Sequence, residues 1–187
     1  MFIQTEATPN PATLKFLPGR VVMESGTFDA RDAEDAARSP LAASLLDIPE
    51  VVGVFFGYDF ITVTKRDGEW QHLKPAILGA IMEHFVSGAP LFAQGAPDHE
   101  DEDGEEFFEP ADADTVETIK DLLETRIRPA VAGDGGDITF RGYKDGIVYL
   151  AMKGSCSGCP SSTATLKHGI QNLLRHFLPD VQEVRAV

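Results

Sequence analysis

The sequence predicts an α+β protein made of two small α/β-mixed domains joined by an acidic flexible linker, the second domain running in the order α-β-β-α-β. Three observations predict it. The chain has 187 residues, 43% of them hydrophobic, more than one ordinary domain of about 100–150 residues requires and enough for two small cores. Asp98, Glu100, Asp101, Glu102, Asp103, Glu105, Glu106 and Glu109 crowd together with Gly and Pro between residues 88 and 114, and like charges at this density repel and extend a backbone. On both sides of that stretch the apolar residues recur with strand and helix periods. The expected boundaries are 1–88 for the first domain, 89–112 for the linker and 113–187 for the second.

In the first domain, residues 2–6 and 13–17 are short runs bounded by Pro or Gly, which suits strands. Ser39 and Pro40 have the form of an N-cap and first helical residue, and Leu41, Leu45 and Leu46 follow at helical spacing. Residues 51–56 and 60–64, joined by Gly57-Tyr58-Asp59, read as a hairpin. Leu73, Ile77, Ile81 and Phe85 then mark an amphipathic helix ending at Gly88. Within the acidic stretch, Phe107 and Phe108 interrupt the charge, either as the ragged end of a domain or as a point that docks on a neighbouring surface or partner.

In the second domain, Asp114 with Glu117 has the form of a capping box, and Val116, Ile119, Leu123 and Ile127 supply a buried helical stripe. Pro129 is expected to stop or bend that helix. Residues 137–143 and 146–152 read as two strands with turn chemistry at Lys144-Asp145-Gly146. Leu166, Ile170, Leu173, Leu174 and Phe177 describe a second amphipathic helix, and residues 181–187 return as a last strand. No tandem repeat is present.

Thirty acidic against sixteen basic residues give a formal charge of -14, which repels nucleic-acid phosphates and anionic lipid, so neither nucleic acid nor membrane is an expected partner. No stretch approaches the roughly 20 apolar residues of a membrane span. The N-terminal residues have neither a secretory signal's apolar run nor a transit peptide's Arg-rich character, and the chain as given reads as cytosolic.

The chain has two cysteines, Cys156 and Cys159, too few for a secreted disulfide framework and spaced for metal or redox chemistry. They lie in Gly154-Ser155-Cys156-Ser157-Gly158-Cys159-Pro160, between a predicted strand and a predicted helix. Pro160 suits the first helical turn, which puts Cys159 at or near the N-cap, where the helix dipole favours thiolate. Thiolate is the form that binds metal and also the form that attacks disulfides, so a metal site, a dithiol oxidoreductase and incidental cysteines all stand as readings of the motif alone. Thioredoxin-like enzymes place such a pair after the first strand of a parallel sheet, a context that differs from this one. A tetrahedral iron–sulfur or zinc site takes four protein ligands. A second copy of the loop across a two-fold axis supplies the missing pair; a zinc site within one chain needs His168 or His176, which lie awkwardly along the next helix. Gly133-Asp134-Gly135-Gly136-Asp137 is neither a Walker loop nor a full calcium loop. It reads as a sharp turn with positive φ, or as a place where Asp134 or Asp137 shapes the cysteine site.

With these residues in view, the second half resembles the NifU-like domain of the Nfu iron–sulfur cluster proteins, through the Gly133-Asp134-Gly135-Gly136-Asp137 turn, the hairpin and the Cys156 and Cys159 loop continuing into Ser161-Ser162. The first half is similar to the Nfu N-terminal domain through Thr8-Pro9-Asn10-Pro11-Ala12-Thr13-Leu14-Lys15-Phe16-Leu17-Pro18-Gly19. The resemblance implies a scaffold or carrier, not an enzyme, that holds a [4Fe-4S] cluster, one per homodimer, on Cys156 and Cys159 of both copies. It further implies cluster donors and apo iron–sulfur proteins as partners. It implies a bacterial cytoplasm, or a mitochondrial matrix for a processed eukaryotic chain. A dithiol oxidoreductase and an adaptor with structural zinc are the alternatives.

Overall fold

Alternation along Thr13–Leu17, Val51–Phe56 and Ile61–Lys65 sends Phe16, Val54, Phe56, Ile61 and Val63 to one face of a sheet, and this face is the first core. A computed structural model describes residues 2–94, 106–155 and 160–187 of the chain. It is α+β and divides into two units, Met1–Asp98 and His99–Val187; residues 95–105 of the expected linker at 89–112 lie outside the described residues. Among the described residues no helix is long and apolar enough to cross a membrane.

The first unit is a five-stranded antiparallel sheet with helices on one face. Its strands are β1 (Gln4–Ala7), β2 (Thr13–Leu17), β3 (Phe28–Ala30), β4 (Val51–Phe56) and β5 (Ile61–Lys65), in the spatial order β1-β2-β5-β4-β3. The expected helices are α2 (Pro40–Leu46) and α3 (Trp70–Ser87). Ser39 caps the first, its Oγ accepting the Ala42 N–H at 3.2 Å, with Pro40 in the first turn. Gly88 ends the second at φ 68°, the left-handed cap that glycine adopts without strain. Two elements were not anticipated, β3 and the one-turn helix α1 (Ala33–Ala37), capped by Asp32. Both are too short to show a period. Phe28 of β3 pairs with Phe56 across the ladder, and Phe92 closes over both rings at 5.1 and 6.4 Å. The first core thus continues past Gly88 to residues the charge pattern had grouped with the linker.

The second unit follows the order read from the sequence, with β6 (Gly136–Lys144), β7 (Ile147–Gly154) and β8 (Glu183–Ala186) forming the sheet β6-β7-β8. Strands β6 and β7 are an antiparallel hairpin, whereas β8 runs parallel to β7 after a helical crossover through α6 (Pro160–Phe177), as a parallel pair requires. Val116, Ile119, Leu123 and Ile127 are buried against Ile138, Phe140, Val148 and Leu150, and Ile170 and Leu174 join them from α6. Phe177 is 45% exposed, beneath the Arg126 guanidinium.

Two local expectations fail in this unit. Asp114 is not a capping residue: a 3-10 turn at Pro110–Asp112 leads directly into α4 (Ala113–Leu122), so Asp114 already lies in the first turn, where its carboxylate favours the helix dipole without closing a capping box. Pro129 neither stops the helix nor only bends it. Lacking an N–H, it breaks the i to i−4 ladder, and the chain widens into a π turn over Leu123–Ile127 before resuming as α5 (Arg128–Gly133).

The hairpin turn is as specific as its residues suggest. Asp145 and Gly146 sit at φ 52° and 78°, the two consecutive left-handed residues of a tight hairpin whose twist matches its strands. A Cβ on Gly146 would stand 2.9 Å from the Asp180 carbonyl oxygen. Gly146→Ala is therefore expected to destabilise the second unit by about 1–2 kcal/mol. Thermal unfolding followed by far-UV circular dichroism measures the loss, and the fluorescence of Trp70, which lies in the first unit, serves as the internal control.

Candidate functional site

Residues 155–159 connect the last residue of β7 to the first of α6. Cys156 and Cys159 lie outside the described residues, as do the N-cap expectation for Cys159 and the sulfur geometry. What the structure does place is the base on which they follow. Gly154 ends β7 at φ 68° and pairs with Gly136, the first residue of β6, which is preceded by Gly135 at φ 82°. Both left-handed positions demand glycine, since a Cβ would meet the following carbonyl.

Ser155 fastens this base. Its Oγ donates to the Asp134 carbonyl at 2.5 Å, its N–H donates to the Gly135 carbonyl at 3.2 Å, and the residue is 1% exposed. The turn at 133–137 is the sharp reversal the sequence suggested, and it holds Ser155; Asp134 takes part through its backbone and leaves its side chain exposed, and Cys156 and Cys159 themselves lie outside the described residues.

Asp137 acts through its side chain, but toward the helices. Its buried carboxylate receives Arg128 in a two-pronged contact, Nε to Oδ1 at 2.9 Å and Nη2 to Oδ2 at 3.0 Å, while Nη1 of the same guanidinium reaches Glu124 at 2.7 Å. The Asp137 hydrogen bonds raise the Arg128 pKa above its ordinary value, against the opposing effect of burial, and the cation is permanent. The pair ties the π turn and α5 to the start of β6. Sequence reasoning missed both Ser155 and Arg128. For Arg128 the available signal was Glu124 four residues earlier on the same helix face.

His168 and His176 are exposed on α6, His176 lying edge-on to Phe177 at 5.1 Å. Among the described residues, no group of three or more His, Cys, Asp or Glu is arranged to hold a metal ion.

Removing half of the carboxylate contact tests the clamp. Asp137→Asn leaves a half-buried guanidinium with only the exposed Glu124 as counter-ion and is expected to cost about 2–3 kcal/mol in urea unfolding of the second unit. Ser155→Ala is expected to cost about 1 kcal/mol, the usual net value of one hydrogen bond, and to speed amide exchange at residue 155.

Comparison with known proteins agrees with this architecture. Residues 3–88 match the family model described as the scaffold protein Nfu/NifU N terminal, and residues 119–185 match the NifU-like domain. The chain is 50% identical over 189 residues to the human NFU1 iron-sulfur cluster scaffold homolog, mitochondrial, covering all of this chain and 72% of that protein. It is 51% identical to NifU-like protein 4, mitochondrial, of Arabidopsis thaliana, with 98% of this chain and 65% of that one covered. The NFU1 homolog of Drosophila sechellia is 50% identical over all of this chain and 65% of its own. With half its residues shared across the whole of its length, and both domain models matched in order, the chain belongs to the Nfu/NifU scaffold family.

Proposed function

We propose that the protein binds a [4Fe-4S] cluster as cargo through Cys156 and Cys159, shares it with the same two cysteines of a second copy, and passes it to apo iron–sulfur proteins. The observation that carries this reading is the ligand count. A scaffold of the Nfu/NifU family with two cysteines in 187 residues has half of a four-thiolate set. A two-fold pairing of identical loops supplies the remainder with no further residue type.

The chain's own groups support the chemistry. The cysteine segment leads into the N-terminus of an 18-residue helix, whose dipole stabilises thiolate over thiol at that end. Ser155 and the glycine turn hold the segment's first residue, so exchange of ligands does not require the domain to open. Transfer is ligand substitution: each acceptor thiolate forms a bond to iron as Cys156 or Cys159 leaves, and no redox change is needed. The net charge of -14 disfavours unspecific capture by nucleic acid. The fitting compartment is a reducing one, a bacterial cytoplasm or the mitochondrial matrix; the relatives' names place those proteins in mitochondria.

Anaerobic reconstitution with iron and sulfide is expected to give broad visible absorption, about two irons per chain, and a shift from monomer to dimer on a sizing column. Cys156→Ala and Cys159→Ala are each expected to abolish both. A full cluster retained by Cys156→Ala would overturn the ligation. Elemental analysis of protein purified without air decides between iron and zinc.

A further inference from the structure

The edge of β6 is not bare. Phe107 lies beside it in a parallel bridge to Gly142: its N–H donates to the Arg141 carbonyl at 3.2 Å, and its carbonyl accepts the Tyr143 N–H at 2.9 Å. A β-bulge prepares the place. Phe140 pairs with Leu150 and Gly142 with Tyr149, so Arg141 is the extra residue. The bulge shifts the alternation, burying both Phe140 and Tyr143 in the core and leaving Gly142 on the opposite face. That glycine is a dimple. A Cβ there would come within 2.4 Å of the Phe107 ring, which fills the space and meets Tyr149 at 5.0 Å between centroids. Glu106 completes the contact with an ion pair to Lys120 of α4.

The hold is nonetheless light. Phe107 is 45% exposed and Phe108 40% exposed, the ion pair faces solvent on the Lys120 side, and one bridge supplies the backbone pairing. A sheet edge with backbone groups at pairing distance and an aromatic-sized dimple is what strand-adding peptide sites offer.

We infer that the β6 edge at residues 141–143 is a docking site for an extended acidic segment carrying an aromatic anchor, and that residues 106–108 of this chain are its built-in, displaceable occupant. The bridge is parallel, so the part of a docked segment that precedes its anchor advances along β6 from Gly142 toward Gly136. Gly136 pairs with Gly154, next to Ser155 and the cysteine segment. The six residues from 142 to 136 span roughly 20 Å at about 3.3 Å each. A partner whose metal-ligating residues lie about six positions before its aromatic anchor would bring them to that end of the sheet. The identification of the partner as a cluster acceptor rests on the function proposed above; the docking site itself does not.

Fluorescence anisotropy of a labelled peptide Glu-Glu-Phe-Phe-Glu, the sequence of residues 105–109, tests the site on the full chain without metal. An occupant attached to the same chain competes at high effective concentration. Phe107→Ala is therefore expected to bind the peptide at least about tenfold more tightly than the native chain, as loss of a roughly 90% occupied competitor requires. A peptide with alanine in place of its first phenylalanine is expected not to bind, and Gly142→Val is expected to remove binding in the Phe107→Ala background. Equal affinity of native and Phe107→Ala chains, no binding to either, or indifference to the peptide's phenylalanine would overturn the proposal. The last control holds whatever Gly142→Val does to folding. Because no cluster is involved, failure here is separate from failure of cluster binding. Inhibition of cluster transfer by the same peptide tests the link to acceptors, and undiminished transfer at saturating peptide would sever it.

Discussion

The two hydrogen bonds that Ser155 gives to the carbonyls of Asp134 and Gly135 join the start of β6 to the end of β7, and the placement of everything after Gly154 depends on that joint. The chain reaches this point from two directions, out of a helix through a glycine turn and up a strand through another glycine. At such a junction backbone groups easily go unpaired, and unpaired buried groups are costly. Ser155 settles the account of two carbonyls at once with one side chain and one N–H. Its burial keeps water from competing for them. Arg128 secures the same junction from below, because a guanidinium fork on both oxygens of Asp137 fixes orientation as well as distance. Arg128 follows directly on the π turn over Leu123–Ile127.

If Cys156 and Cys159 take up a cargo as proposed, the hydrogen bonds that fix Ser155 lower the entropy lost on binding it. On the proposed function, each copy offers two thiolates, so the complete set exists only while two copies are together. The helix end that favours thiolate does so in either state. The free energy of holding the cargo is then divided between metal–sulfur bonds and an interface, and loosening either one releases it.

Much of the fold was legible in the residues because it rests on local periods. The 137–143 and 146–152 alternation, the Asp-Gly turn and the stripe of Val116, Ile119, Leu123 and Ile127 each declare themselves within a dozen residues. What was not legible depends on partners distant in sequence or on elements too short for a period. Strand β3 is three residues long and exists because β4 offers it a ladder. The capping box at Asp114 has the right spelling, yet the 3-10 turn from Pro110 starts the helix before it. For the candidate site, the count and spacing of Cys156 and Cys159 carry the proposed chemistry, and both residues lie outside the described ones. The roles of Ser155 and Arg128 were not legible, because they depend on Asp134 and Asp137, 21 and 9 residues away.

Phe107 shows the same limit from the other side. The sequence marks it as an interruption of the acidic run, either a ragged domain end or a docking point, without showing the surface it meets. Its meaning appears only when the bulge at Arg141 turns Gly142 outward, for without that extra residue position 142 would face the core and Tyr143 the open face. A glycine there would then be a cavity, and a buried tyrosine an exposed one. The bulge, the glycine and the aromatic are therefore one feature, spread over residues 107 to 143, and each makes sense only with the other two. Burial of Tyr143 holds its phenol above the ordinary pKa, chiefly by desolvation. An edge kept in that shape with only a light occupant is prepared for a strand that comes from elsewhere.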